Sequence, residues 1–368
     1  MFSKYHFNHY NFKLLLITVA LALIGIFAVG SADASLQNKQ LLGAVGGFCI
    51  MLFLSLFDYE IVLKFYWLYF VVNFVLLFMT IFVGEKGNGA QRWVKILGVR
   101  FQPSEICKLV IILCLAAFIY KHYEELNTLK TILICSVIFI IPTALVFKQP
   151  DLSTTIVMCL IFATIMFLAD TNWRIIIGVI AIAIPVFVIL IYLIMQPNQK
   201  IVSEYQKGRI LSFFNKEETA NDEGYQQTYS VMAIGSGQLN GKGYMNNEIY
   251  SVKNADFIAE QQTDFIFAII GEEFGFIGTC SVIVLIMLLV FECFMISFRA
   301  KNVAGRIIAG GVGAYIGFQS FINIGVVTYL LPNTGLPLPF ISYGLTSLLS
   351  SFIGIGLVLN VGLQCQEK

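Results

Sequence analysis

Ten apolar stretches, parted by short polar breaks and one long one, decide what this chain can fold into. They cover residues 14–29, 41–57, 61–83, 104–120, 131–147, 154–168, 175–195, 264–298, 307–331 and 339–363. A helix needs about 20 apolar residues to cross a bilayer. In hydrocarbon, only helices or closed barrels satisfy their own backbone polar groups. The pattern therefore predicts an all-α polytopic integral membrane protein with about ten transmembrane helices. Composition leads to the same class: 12% of residues are charged, against about 25% in a soluble domain. Ala32-Asp33-Ala34 resembles a signal-peptidase site, but the run before it is long and further runs follow at once. It is predicted to remain as the first span.

An even number of spans puts both termini on one side. Lys4, Lys13, Lys64, Lys121, Lys130, Arg174, Arg299, Lys301, Arg306 and Lys368 fall on the terminal side. Short loops on the other side hold fewer cations: Lys39, Lys86, Arg92, Lys95, Arg100 and Lys148. The positive-inside rule then predicts cytoplasmic termini, with the long segment left out of the count. The chain reads as a single membrane domain, 1–368. Within it lies a large extracytoplasmic loop, 196–263, between spans 7 and 8. A net charge of +1 gives no bulk case for nucleic acid. The eight cysteines lie in or beside apolar runs without a Cys-x-x-Cys pair and read as small apolar residues. Three scattered histidines (His6, His9, His122) exclude the usual metal and Ser/His arrangements.

The candidate chemistry gathers on the outward side. Asp264 stands between the long polar segment and an unbroken apolar run, and an ionisable residue there is a functional candidate by default. The alternative is a helix N-cap by Thr263 or Asp264. Glu105 and Lys108, three apart, share a helix face in an apolar span and should pair. Either a structural pair or a direct role fits them. Arg92, Lys95, Lys148, Arg209 and Lys242 are outward cations suited to a phosphate or pyrophosphate. Asp151 reads as an N-cap. Residues 84–103 fit an interfacial amphipathic segment anchored by Trp93. The glycine-rich run 235–243 fails as a Walker A motif, because Gly243 stands where a magnesium-binding Ser or Thr is needed. Residues 333–344 hold two prolines and two glycines in apolar surroundings. Such backbone suits a cavity wall, with Ser342 and Tyr343 as polar lining.

Taken in order, these motifs resemble the SEDS family, the RodA/FtsW polytopic cell-wall glycosyltransferases. The residues that carry the resemblance begin with Gly89-Ala-Gln-Arg-Trp93, Phe101-Gln-Pro-Ser-Glu-Ile-Cys-Lys108 and Gln149-Pro-Asp-Leu152. They continue with Tyr205-Gln206, Arg209-Ile210, Gly224-Tyr-Gln226, Ala233-Ile-Gly-Ser-Gly237 and Gly241-Lys-Gly243. Thr263-Asp-Phe-Ile-Phe-Ala268, Gly271-Glu-Glu273 and Gly335-Leu-Pro-Leu-Pro-Phe-Ile-Ser-Tyr-Gly344 complete the set. The resemblance implies lipid II as substrate, chemistry at the outer face of the bacterial cytoplasmic membrane, and a class B penicillin-binding protein as partner. It implies Asp264 as the catalytic carboxylate, Glu105 and Lys108 as its buried pair, and Trp93 and Gln226 as further cavity lining. The short N-terminus and residues 335–344 lean towards the RodA, elongation-type branch. Two departures stand out. The family's Pro-Glu-x-His reads Ala259-Glu-Gln-Gln262 here, so an active protein would need no histidine there. Its Gly-Gly-Ser-Ser reads Gly344-Leu-Thr-Ser347.

The implied reaction is attack of an acceptor sugar hydroxyl on a lipid-pyrophosphate donor. Asp264 is the general base, and Arg92, Lys95, Arg209 and Lys242 are candidates to hold the leaving pyrophosphate. No complete protein metal site is legible, and the chemistry leaves room for a divalent cation, Mg or Mn. A lipid II flippase and a non-catalytic scaffold for a transpeptidase are the rival readings.

Overall fold

A computed structural model describes residues 10–87, 90–96, 99–196, 207–209, 211, 213, 224–245, 251 and 258–365. Gly89, Leu97, Tyr205, Gln206, Ile210, Lys4, His6, His9, Lys368 and most of the long loop lie outside them. Each predicted span falls on one long helix: α1 (Phe12–Ala32), α2 (Ala34–Ser55), α4 (Tyr66–Val83), α5 (Pro103–Lys121), α6 (Leu129–Lys148), α7 (Leu152–Leu168), α8 (Trp173–Met195), α10 (Ile266–Arg299), α11 (Val303–Val327) and α12 (Leu345–Leu363). Short α3 (Tyr59–Lys64) precedes α4, and α9 (Tyr225–Ser236) precedes α10. Among the described residues, eight of these helices are long and apolar enough to cross a membrane; α7, at 17 residues, is apolar but shorter.

Seven of these helices start where polar caps satisfy free backbone N–H groups. Asn11, Asp33, Asp58, Thr128, Asp151, Asn172 and Asn302 each accept a bond from the first turn that follows. Pro103 opens α5, where its missing N–H does no harm. Nearly every α5 residue is buried, while α4 exposes Trp67, Val71, Val75, Phe78 and Phe82. A helix apolar all round belongs inside, so α5 is the centre. α11 packs on α5, α7 and α10, and α12 packs on α2. Asn11 donates to Glu292 on α10 at 2.8 Å, and Gln364 donates to Asp58 at 3.1 Å. The start of α1 and the end of α12 therefore lie at one end of the bundle, away from Asp264.

Residues 84–103, expected to be an interfacial amphipathic segment, carry three strands. Strands β1 (Glu85–Gly87), β2 (Ala90–Ile96) and β3 (Val99–Phe101) make an antiparallel meander in the order β1-β2-β3. Successive strand side chains alternate between faces. Arg92 and Lys95 consequently fall on opposite faces of β2, and Lys95 pairs across to Arg100.

The glycine-rich run is a packing device. α10 is broken at Gly275, whose φ of 63° leaves the helical region. The freed groups are taken up by the run itself. Phe276 N donates to Gln238 O at 2.8 Å and Ile277 N to Leu239 O at 3.2 Å. In return, Lys242 N reaches Glu272 O at 2.9 Å and Gly243 N reaches Glu273 O at 3.0 Å. A broken helix at membrane depth is tolerated when its backbone is satisfied in this way. Gly241 has a φ of 78°, and a β-carbon there would stand 2.1 Å from Glu273 O. Gly241→Ala is expected to destabilise by about 2 kcal/mol or more, from strain plus backbone displacement. A thermal melt of the purified protein in detergent checks this, and an unchanged melting temperature would remove the packing account.

Candidate active site

Asp264 lies two residues before α10, at the end of a turn. Its carboxylate faces Gly335, in the connection between α11 and α12. A β-carbon on Gly335 would lie 3.0 Å from Asp264 Oδ2 and 3.5 Å from Arg209 Nη1. Gly335 also has a φ of 69°, so the position demands glycine twice over. The carboxylate and the guanidinium thus close on the same point.

Protein surrounds Asp264 densely, although part of the side chain remains accessible. Burial pushes its carboxyl up to about 6, Arg209 and Arg92 pull it down, and Glu260 and Asp151 push it up. Four charged groups, Arg209, Arg92, Glu260 and Asp151, therefore act on this carboxylate.

Arg92 comes from β2. Its Nη1 is 3.7 Å from Asp151 Oδ1, and its other terminal nitrogen donates to Pro150 O. Asp151 caps α7 through Thr154 N at 3.2 Å, and Gln102 Nε2 and Ser104 Oγ each donate to its Oδ2 at 3.4 Å. Lys95 is exposed on the opposite strand face, and Trp93 shares that face, half-buried. Lys242 is held by Glu272 Oε1 at 2.7 Å, so its ammonium serves the packing of the glycine run. Of the five outward cations singled out in the sequence, Arg92 and Arg209 act on Asp264, and Lys148 is exposed in the last turn of α6.

The buried pair is formed: Lys108 Nζ donates to Glu105 Oε1 at 2.7 Å, with both side chains fully buried. Lys108 also donates to Gln319 Oε1 and lies 4.7 Å from the Tyr315 ring centroid. Gln319 Nε2 donates to Pro337 O at 2.9 Å. The pair is thereby wired to the 333–344 segment rather than to Asp264.

Ser342 and Tyr343 are not simply cavity lining. Ser342 is buried; its hydroxyl accepts from Leu338 N at 2.7 Å and donates to Thr263 O at 2.5 Å. Tyr343 N donates to Gln262 O at 2.9 Å. Gln226 accepts from Asn333 at 3.4 Å. The neighbouring Gln227, not singled out in the sequence, is fully buried and donates to Val326 O and Leu331 O, each at 2.8 Å. Gln319 and Asn323 were missed as well. Isolated carboxamides inside an apolar helix were the available signal.

Beside the 333–344 segment lies an apolar cavity of about 640 Å³, bounded by α7, α10 and α11 and by Leu331, Pro332 and Thr334. Its wall ends one residue from Gly335. Among the described residues, no group of three or more His, Cys, Asp or Glu is arranged to hold a metal ion.

The fold and site together define a multi-spanning helical membrane protein with a carboxylate–arginine centre at the edge of an apolar cavity. A family model described as a cell cycle protein, FtsW/RodA/SpoVE, matches residues 4–367. The chain belongs to this family. It is 32% identical over 356 residues to the peptidoglycan glycosyltransferase MrdB of Escherichia coli K12, covering 96% of this chain and 93% of that protein. It is 31% identical over 369 residues to a probable peptidoglycan glycosyltransferase FtsW of Geobacter metallireducens, covering 96% and 95%. A chain from a peptidoglycan synthase complex that coordinates polymerization and crosslinking superposes with a TM-score of 0.78 at 25% identity, over 96% of this chain and 97% of that one. The rod shape determining protein RodA of Thermus thermophilus shares the fold, with a TM-score of 0.70 at 24% identity over 98% of each chain.

Proposed function

We propose that this protein is a peptidoglycan glycosyltransferase that joins lipid II units into glycan strands at the outer face of the bacterial cytoplasmic membrane. The observation that carries the reading is the meeting of Asp264 and Arg209 at Gly335, one residue from an apolar cavity. A lipid-pyrophosphate donor has matching parts: an isoprenoid chain for the cavity, a dianionic headgroup for guanidinium, and a sugar carbon beside the base. Asp264 accepts the proton of the acceptor hydroxyl as its oxygen attacks the anomeric carbon. The bond to the undecaprenyl pyrophosphate breaks on the opposite face, so configuration inverts. Arg209 and Arg92 meet the charge that grows on the leaving group. Pyrophosphate is a good leaving group and needs no general acid.

In this reading the Asp264 end faces outward, both termini are cytoplasmic, and the 196–263 segment is extracytoplasmic. A class B penicillin-binding protein cross-links the product, and the elongation branch is favoured over division. Residues 335–344 carry that lean.

The purified protein should make long glycan from lipid II in detergent, where no compartments exist. Activity that appears only as movement across a sealed bilayer would instead establish the flippase reading. Arg209→Ala should raise the lipid II concentration for half-maximal rate by about tenfold, the worth of one charged hydrogen bond. Added salt should raise it further in the wild type than in the variant. An unchanged dependence on lipid II would remove Arg209 from the donor site.

A further inference from the structure

Three consecutive carbonyls leading to α10 are each held by a donor from elsewhere in the fold. Gln262 O accepts from Tyr343 N at 2.9 Å, Thr263 O from Ser342 Oγ at 2.5 Å, and Asp264 O from Asn323 Nδ2 at 2.8 Å. The first two donors belong to the same connecting segment. The third belongs to α11, a long and well-packed helix. The Asn323 carboxamide spends its second N–H on Leu336 O at 2.6 Å. Both partners are carbonyl oxygens, so only the NH₂ side of the amide can face them. Asn323 is 1% exposed.

We infer that Asn323 is a positioning residue for the Asp264 carboxylate. Its two N–H groups tie the Asp264 main chain to Leu336, the residue after the glycine against which the Asp264 carboxylate rests. One amide on a rigid helix thereby sets the distance between the carboxylate and the turn that faces it. Among the described residues, no other α11 side chain bonds both the Asp264 and the Leu336 carbonyls. Gln319, one helical turn earlier, grips Pro337 O but not Asp264. The inference rests on Asp264 being the base of the proposed reaction.

The test compares Asn323→Ala, Asp264→Asn and the double variant, each purified and given lipid II in detergent. Asn323→Ala should lower kcat by about tenfold or more, as expected when a reacting group drifts by a fraction of an ångström. The lipid II concentration for half-maximal rate should stay within about twofold, because no donor-binding group is removed. The double variant should be no slower than Asp264→Asn alone, since Asn323 acts through that carboxylate. A purely structural role would lower the yield of folded protein without changing kcat per folded molecule. If Asn323→Ala does not accumulate, Asn323→Thr keeps one donor of the two in similar volume and should show a smaller loss of kcat. A wild-type kcat in the folded variant, or losses that simply multiply in the double variant, would overturn the inference. A wild-type rate in Asp264→Asn would instead overturn the reading of the site beneath it.

Discussion

Asp264→Asn is expected to stop glycan growth while leaving the protein folded and able to hold its lipid-linked donor. Asparagine keeps the shape and loses the proton acceptor, and loss of a general base slows a reaction by about 10²–10⁴-fold. The main-chain bond from Asn323 to residue 264 does not depend on the side chain. Arg209 and Arg92, the groups proposed to meet the pyrophosphate, are untouched. Glycan formation and lipid II affinity, measured on the same preparation, check this. Near wild-type polymerisation would sink the assignment. Lost lipid II binding would make Asp264 a binding residue instead.

The same carboxylate links activity and stability to pH in opposite senses. As a base it works deprotonated, so the rate should fall as pH drops through about 6, the value to which burial raises its carboxyl. Stability moves the other way. Between the ordinary value of 3.8 and about 6, the folded protein binds the proton and the unfolded chain does not. Stability therefore falls as pH rises through that window and stays lowered above it. The loss is on the order of 2 kcal/mol, discounted because part of the side chain meets solvent. Asp264→Asn carries no such penalty. It should melt higher than the wild type at pH 7.5 and no higher at pH 4.

Hydropathy made the long helices legible, because lipid demands long apolar runs and the runs are there to be counted. Asp264 was legible by its place between a polar and an apolar stretch. The meander at 85–101 was not. Arg92, Val94 and Ile96 alternate with Trp93 and Lys95 at the strand period, which the segment's amphipathic character and its Trp93 anchor do not by themselves specify. Asn88-Gly89 in the sequence was the hairpin signal to weigh. That difference in period decides which cation counts, since it turns Arg92 towards Asp151 and Lys95 away. Lys242 was legible as a charge but not as the partner of Glu272, because their pairing depends on where α10 breaks. Asn323, Gln319 and Gln227 sit in or against apolar helices and serve main-chain carbonyls. Such partners carry no sequence pattern, since every residue has a carbonyl.

The Glu105–Lys108 pair should show its character through non-additivity. Both charges are fully buried, and Lys108 is saturated by Glu105, Gln319 and the Tyr315 ring. Removing one partner strands the other charge, at a cost of about 3–5 kcal/mol. Glu105→Gln alone and Lys108→Met alone should each destabilise by roughly that amount. The double variant leaves no charge behind, and replacing a buried pair with uncharged groups of similar volume is often close to neutral. Its melting temperature should lie nearer the wild type than either single variant does. Activity should not recover in step. Without the ammonium, Gln319 loses the contact on its carbonyl side, and its bond to Pro337 O is held less firmly. A double variant that is stable yet slow would mean that the pair serves the 333–344 segment more than the fold. Additive losses of stability in the singles and the double would mean that the two charges are not coupled, and the wiring from α5 to the site would have to be abandoned.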